Sequence, residues 1–203
     1  MSEDQVLSIE DGSETEIVVQ GSRFLGQAFG CDSPEAAAER VSAVRRRYHN
    51  ATHHCWAWRI GLDGPMERWD DDSEPSGTAG PPILKPLQHE HLTQAMIVVT
   101  RYFGGVKLGT GGLARAYGEA ARTALAAAAR RVIWLTRTLS LRCDYADLGV
   151  VENCLHRTAG DLRDIRREFE TGPCFVVEVV RSRAERFRAD LIERTAGRIR
   201  IDG

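Results

Sequence analysis

The residues with the most distinctive chemistry lie in a glycine-rich loop that follows an apolar segment. Residues 94–100, QAMIVVT, are almost continuously apolar and predict a central strand. The glycines and cations that follow are candidate nucleic-acid or anion-binding residues: Arg101, Gly104, Gly105, Lys107, Gly109, Gly111, Gly112 and Arg115. Glycine lets a ligand approach the backbone closely, and a helix that begins near Gly111 would direct free N–H groups toward that ligand. The other interpretation is that the glycines let the strand pack tightly on the following helix.

Two familiar nucleotide-binding motifs do not fit this loop. It contains no Gly-Lys-Ser/Thr, so it is not a Walker A loop. Gly109 and Gly111 mimic part of a dinucleotide fingerprint, but eight residues separate them from the strand, and no acid lies about 20 residues further on. A Rossmann domain is therefore excluded.

A second polar segment, residues 70–82, could also perform chemistry. The acids between Asp70 and Glu74 could bind a metal or serve as general acid and base. The favoured alternative is a structured turn, in which Asp and Ser side chains bond to nearby backbone groups and Thr78 caps a following helix. The residues assigned to this structural motif are Glu74, Pro75, Gly77, Thr78 and Gly80.

Several side chains could ligate a metal, namely His53, His54, Cys55, His89 and His91. Their spacing matches no zinc finger, H-E-x-x-H motif or deaminase motif. Neighbouring side chains of a strand point to opposite faces, so His53 and His54 do not easily share one ion. The sequence therefore predicts neither a metal site nor a cofactor.

Two tryptophans, Trp56 and Trp58, share a strand face with His54. Packing in the core is the ordinary role of such residues. Stacking on nucleic-acid bases is the alternative that would give them a function.

The elements that would position these residues predict an N-terminal α+β domain. A capping Ser33, followed by Pro34 and Glu35, predicts a helix start. A long Ala-rich helix follows the glycine loop and is expected to end at Arg130-Arg131. Strand patterns cover residues 14–19, 22–31, 54–60 and 66–70.

The C-terminal part alternates strand and helix patterns. Asp147 and a Ser182–Glu185 capping box are predicted to begin its two helices. Residues 162–169 fit a helix as well as a strand, but the turn signal at residues 171–173 favours a strand. The order is then βαββαβ, a ferredoxin-like sandwich. The predicted domains are residues 1–136 and residues 137–203.

The composition of the 203-residue chain is that of a globular protein, with 42% apolar residues, 28% charged residues and a net charge of −2. This balance excludes a globally basic nucleic-acid binder but allows a local basic face. Short apolar runs and acidic first residues predict neither a membrane span nor a signal peptide. Five cysteines without a C-x-x-C pair fit a reducing compartment, so we expect a cytoplasmic protein.

Three segments resemble the signatures of the IMPACT/YigZ family in order and spacing. They are HHCWAWRIG from residue 53, SEPSGTAGPPIL from residue 73 and RYFGGVKLGTGGLARAY from residue 101. This resemblance covers roughly residues 15–130, and the C-terminal part resembles the second domain of bacterial YigZ-type members. Ser73 stands where Gly is usual, and Pro81 stands where Lys or Arg is usual, which removes a charge that could touch an anion.

The resemblance implies a fold and a class of function. The N-terminal domain would be of the type found in a small-subunit ribosomal protein and in domain IV of elongation factor G, with a left-handed βαβ crossover. The C-terminal domain would resemble domain V of that factor. Eukaryotic relatives regulate translation by competing for the activator of a kinase that phosphorylates an initiation factor, through protein contacts rather than catalysis.

We therefore expect a non-enzymatic cytoplasmic regulator that binds RNA, the ribosome or a translation-associated protein through the glycine-rich loop. No membrane partner is expected. The alternative hypothesis is a small hydrolase or phosphate-ligand enzyme that uses His54 and the acids between Asp70 and Glu74, so the presence of catalysis stays open.

Overall fold

The computed structural model of the chain describes residues 3–170 and 172–203, which form two units. One unit is Val6–Ile133, and the other comprises Trp134–Gly203 together with the N-terminal residues up to Gln5. Both combine strands and helices, as the predicted α+β class requires. Thr171, the first residue of the predicted turn, lies outside the described residues. The independent folding of residues 1–136 and 137–203 stays a prediction.

The first unit is built on a five-stranded sheet with three helices and an additional pair of strands. The sheet has the order β2-β3-β6-β4-β5, and β1 pairs with β7. The strands are β1 (Gln5–Ile9), β2 (Thr15–Val19), β3 (Ser22–Gly30), β4 (His53–Ile60), β5 (Met66–Asp70), β6 (Ala95–Tyr102) and β7 (Arg130–Trp134). The helices are α1 (Pro34–Arg47), α2 (Gly80–His89) and α3 (Gly109–Ala126).

The apolar run predicted as a central strand is β6, which lies in the middle of this sheet and is buried along nearly its whole length. Both β3 and β4 are antiparallel to β6, so they run parallel to each other on its two sides. The β3-α1-β4 connection therefore forms a βαβ crossover that passes over β6.

Helices cover both faces of the sheet. α2 and α3 pack on one face, where the rings of Phe24 and Tyr117 meet edge to face at 5.1 Å. α1 packs on the other face through Ala37, Val41 and Val44. The glycine-rich loop and the acidic segment join these layers, so their positions depend on the core.

The second unit has the βαββαβ order predicted for a ferredoxin-like domain. Its elements are β8 (Thr136–Arg142), α4 (Leu148–Arg157), β9 (Leu162–Glu168), β10 (Cys174–Val180), α5 (Ala184–Arg194) and β11 (Arg200–Asp202). The sheet order β11-β8-β10-β9 places the first and third strands of the motif in the centre. The segment that fitted both helix and strand is the edge strand β9.

The end of the long helix differs from its prediction. α3 ends at Ala126, and the arginines expected at its end begin β7 instead. Arg130 Nη1 donates to the carbonyls of Leu125 and Ala128. A side chain of β7 therefore provides hydrogen bonds to carbonyl groups at the C-terminal end of α3. Residues 130–134 therefore pair with β1 as strand β7 and do not extend the Ala-rich helix.

Two predicted capping side chains make other contacts. Asp147 precedes α4 but makes no capping bond, because its carboxylate accepts two hydrogen bonds from Arg198. The hydroxyl of Ser182 donates to Asp4 and does not cap α5. Local spacing could not show either partner, since both lie far away in the sequence.

Candidate functional site

The glycine-rich loop, residues 103–108, connects β6 to α3 and is open to solvent. Phe103 and Val106 are exposed by 48% and 51%, and Lys107 is also exposed. Gly105 and Gly109 have φ angles of 87° and 68°, which side chains with a Cβ rarely adopt. Glycine at these positions is therefore required by the shape of the loop itself.

Two exposed cations flank the first turn of α3. Arg115 folds back over that turn, since its Nη1 would lie 3.5 Å from a Cβ placed on Gly111. The helix begins at Gly109, two residues earlier than expected, and has neither a side-chain cap nor an acid in its first turn. Lys107 and Arg115 form no ion pair with any residue that the structure describes. The positive end of the helix and the two cations therefore share one exposed surface.

The structure corrects the placement of Arg101, which was expected to add mobile charge to this surface. Arg101 is only 5% exposed, and its Nη1 lies 2.6 Å from Oε1 of Glu74. Its Nη2 donates to the hydroxyl of Ser22 at 3.3 Å, and its guanidinium lies over the rings of Phe24 and Phe103. Arg101 therefore holds the base of the loop in the core.

Gly104 has a packing role that differs from the predicted approach of a ligand. Its N–H donates to the Ser22 hydroxyl at 3.2 Å. A Cβ on Gly104 would lie 1.9 Å from the carbonyl carbon of Gly21, in the turn between β2 and β3. Tight packing by glycine thus occurs between the loop and this turn. It also occurs at Gly26, where a Cβ would lie 2.8 Å from the Ala120 oxygen of α3.

The acidic segment is an extensively hydrogen-bonded turn. Asp71 accepts N–H groups from Gly77, Ala79 and Gly80 at 2.7–2.9 Å, so its carboxylate caps α2. Thr78 does not provide the predicted cap, because its hydroxyl donates to the preceding turn. Asp71 was missed as a cap since it stands eight residues before the N-cap position.

Glu74 lies in the second of the three segments that resemble family signatures, and it contacts residues of the other two in the interior. Its Oε1 accepts the hydroxyl of Tyr117 at 2.7 Å in addition to the Arg101 guanidinium. His53 Nε2 lies 3.7 Å from the same oxygen, and its Nδ1 lies 2.8 Å from the carbonyl oxygen of Asp72. Burial raises the pKa of the Tyr117 phenol far above its usual range, so the hydroxyl stays a donor. Sequence reasoning considered His53 only as a possible metal ligand and gave Tyr117 no role, because neither residue's spacing indicates its contact with Glu74.

The geometry does not join His54 to the acids in a catalytic pair. Its Nδ1 lies 3.1 Å from Thr100 Oγ1, and the residue is buried. Desolvation lowers the pKa of His54, although the nearby Asp72 opposes this effect. The carboxylates of Asp71, Asp72 and Glu74 are engaged by backbone N–H groups, by arginine or by tyrosine. The arrangement is therefore suited to holding the fold.

The free energy of unfolding should fall as the pH drops below about 6.5, the ordinary pKa of a histidine. Unfolded His54 takes up a proton near that pH, whereas the folded protein, in which the pKa of His54 is lowered, does so only at lower pH. The unfolded state then binds more protons, so acidification favours it. Urea denaturation from pH 7.5 to 5 should show this slope, and His54→Gln should flatten it.

The exposed His89 provides the control for this measurement. His89→Gln makes the same substitution at an exposed position, so it controls for the general effect of replacing a histidine by Gln. Equal slopes for the His54 variant and the unmodified protein would contradict the assignment to His54.

Within residues 3–170 and 172–203, no cluster of three or more His, Cys, Asp or Glu side chains could hold a metal ion. No helix in the described part of the chain is long and apolar enough to cross a membrane. The five cysteines are free thiols.

Comparisons with known proteins agree across most of the chain. The model of the Impact N-terminal domain matches residues 20–125. The IMPACT family member YvyE of Bacillus subtilis (strain 168) is 38% identical over 81% of this chain and 77% of its own length. The IMPACT family member YigZ of Escherichia coli (strain K12) is 32% identical over 90% of both chains. A crystal structure of a hypothetical protein covers 98% of this chain and 96% of its own, with a TM-score of 0.72 and 30% identity.

Proposed function

The chain belongs to the IMPACT family, and from this premise we propose that it is a non-enzymatic, cytoplasmic regulator linked to translation. In this proposal it binds RNA, free or within the ribosome, through residues 103–108 and the first turn of α3. The observation that supports RNA binding is the pair of exposed cations, Lys107 and Arg115, without ion-pair partners beside an uncapped helix start. The link to translation rests on what the family resemblance implies.

Phosphate groups suit this surface for two physical reasons. Free N–H groups and the helix dipole attract an anion at the start of α3. Lys107 and Arg115 add charges that can replace the counterions condensed on a nucleic acid. Because the net charge of the chain is −2, this attraction would be local rather than a property of the whole surface.

The packing around Arg101 supports the same proposal indirectly. The buried Arg101–Glu74 pair and the Gly104 contact with Gly21 anchor the base of the loop. A loop that is anchored at its base can present Lys107 in a defined place with less loss of conformational freedom on binding. A translation-associated protein with an acidic surface is the other partner that this geometry would accept.

Replacing both Lys107 and Arg115 by Ala should weaken RNA binding without unfolding the protein, because both side chains are exposed. Each lost phosphate contact should reduce the slope of log K against log salt concentration by about 1. Binding to a single-stranded RNA and co-sedimentation with ribosomal particles, each at low and moderate salt, would measure the effect.

A double substitution in the other unit provides a charge-matched control. Arg157 and Arg186 are exposed on α4 and α5, and changing both to Ala removes the same charge. RNA binding by this control should keep its salt slope. If the folded Lys107/Arg115 variant binds RNA with the slope of the unmodified protein, the loop is not the binding surface.

A further inference from the structure

A groove beside α1 lies outside the surface used in the proposed function. It has a volume of about 630 Å³ and is lined by residues of α1, β4 and β5. α1 packs over β4 and β6, whereas all five residues of the edge strand β5 are exposed. This face of the sheet is therefore open toward its edge.

Two tryptophans of β4 contribute to the groove. In the antiparallel register Trp56 pairs with Asp70 and Trp58 pairs with Arg68, so all four side chains share one face. Trp58 is only 5% exposed and belongs to the core beneath α1. Trp56 is only partly buried and packs against that core. Its indole is thus the ring that the groove can offer to a ligand.

The groove also carries uncompensated positive charge. Three arginines, Arg45, Arg46 and Arg68, line it together with one carboxylate, Asp70. Arg45 is neutralised by Asp72 at 2.6 Å. Arg46 and Arg68 form no ion pair with any residue in the described part of the chain. The groove therefore combines an aromatic ring with two guanidinium groups that have no carboxylate partner, although Arg46 Nη1 donates to the hydroxyl of Ser42 at 2.8 Å.

We propose that this groove binds a nucleotide, with its base stacked on Trp56 and its phosphate held by Arg46 and Arg68. Base stacking on aromatic side chains and phosphate binding by arginine are the interactions that such residues make. A carboxylate ligand would use the charges but not the ring, and an apolar ligand would leave the guanidinium groups unpaired. The volume is in the range of about 300–1,000 Å³ that is typical of ligand sites.

Quenching of tryptophan fluorescence by adenosine monophosphate tests the proposal directly. Adenosine and ribose 5-phosphate, which carry only the base or only the phosphate, should bind much more weakly. Trp56→Leu keeps an apolar side chain in the core but removes the stacking ring, and should raise Kd for the nucleotide about tenfold or more. Because replacing a tryptophan removes a fluorophore, isothermal titration calorimetry would measure Kd for the tryptophan variants.

Arg46→Ala/Arg68→Ala is a second variant that does not touch the core. It should also raise Kd and make nucleotide binding less sensitive to salt, because fewer charges then contribute to the attraction. The control for Trp56 is Trp134→Leu, which removes another tryptophan exposed by 38% and stacked 3.7 Å from an arginine, Arg163. The Arg157/Arg186 double substitution controls for charge. Both controls should bind the nucleotide as the unmodified protein does.

A short single-stranded oligoadenylate distinguishes the two sources of the nucleotide. Binding that is at least tenfold tighter than that of the mononucleotide, and sensitive to Trp56→Leu, would identify RNA as the source. Equal affinities would identify a free nucleotide. The groove proposal is overturned if neither ligand binds, if ribose 5-phosphate binds as well as the nucleotide, or if both groove variants bind normally.

The loop and the groove can fail separately. Lys107→Ala/Arg115→Ala leaves every residue of the groove unchanged, so it should bind adenosine monophosphate normally even where RNA binding is lost. Normal RNA binding by this loop variant would remove the proposed function and leave the groove proposal standing. Normal nucleotide binding by both groove variants would overturn the groove proposal and leave the proposed function standing.

Discussion

Arg101→Met should lower the free energy of unfolding by about 3–5 kcal/mol, because it would leave a carboxylate buried without its charged partner. Glu74 is 8% exposed, and Arg101 provides its 2.6 Å ion pair. Methionine has a similar length and keeps apolar contact with Phe24 and Phe103, so the loss would come mainly from the charge. Urea denaturation followed by circular dichroism would measure it.

The exposed Arg23–Glu16 pair is a matched control. Its N–O distance is 2.9 Å, but both side chains are at least 40% exposed. Arg23→Met should therefore cost much less than Arg101→Met. A similar cost for Arg101→Met would show that the buried pair does not stabilise the fold as we expect.

A double substitution tests the origin of the effect. Arg101→Met/Glu74→Met removes both charges and should be less destabilising than the sum of the two single substitutions. Additive costs would instead indicate that each side chain acts through separate contacts. Tyr117 adds one complication, since it would lose its acceptor in either variant that changes Glu74.

Strand and helix patterns predicted most of the fold because the buried residues follow the apolar spacing of these patterns closely. The boundaries of β5 agree with the sequence pattern to the residue. β9 was ambiguous for a reason that the structure explains. A register shift opposite Glu178/Val179 lets Leu162 and Ile165, which are three residues apart, both face the core. This irregularity imitates the spacing of a helix.

The candidate site was less predictable because it depends on contacts between distant residues. Arg101 and Lys107 are both cations in one motif, yet one is buried with Glu74, 27 residues away, and the other is exposed. Residue type and spacing carry no signal for this difference. The same holds for Asp71, whose capping role depends on how residues 71–80 fold back on themselves.

Trp56 illustrates the same limit on the other face of the sheet. Alternation along β4 places it with Trp58, and both were expected to pack in the core. The structure separates them, since α1 buries Trp58 but leaves part of Trp56 accessible in the groove. Only the position of α1 over the sheet decides which indole a ligand can reach.

Gly104→Ala should lower the free energy of unfolding by about 3 kcal/mol, the upper end of what overpacking usually costs. The new Cβ would lie 1.9 Å from the carbonyl carbon of Gly21, so backbone rather than a flexible side chain would have to move. Gly111→Ala is the matched control within the same motif, because its Cβ would meet only Arg115 Nη1 at 3.5 Å. That substitution should be neutral or stabilise the helix by up to about 1 kcal/mol.

The same pair of variants connects the packing of the loop to its proposed use. Gly104→Ala would push the loop away from the β2–β3 turn and displace Lys107, so RNA binding should weaken under conditions in which the variant is still folded. Gly111→Ala should keep the loop in place and retain the salt slope of RNA binding. If Gly104→Ala is as stable as the unmodified protein and binds RNA equally well, the close contact with Gly21 neither anchors the loop nor positions its cation.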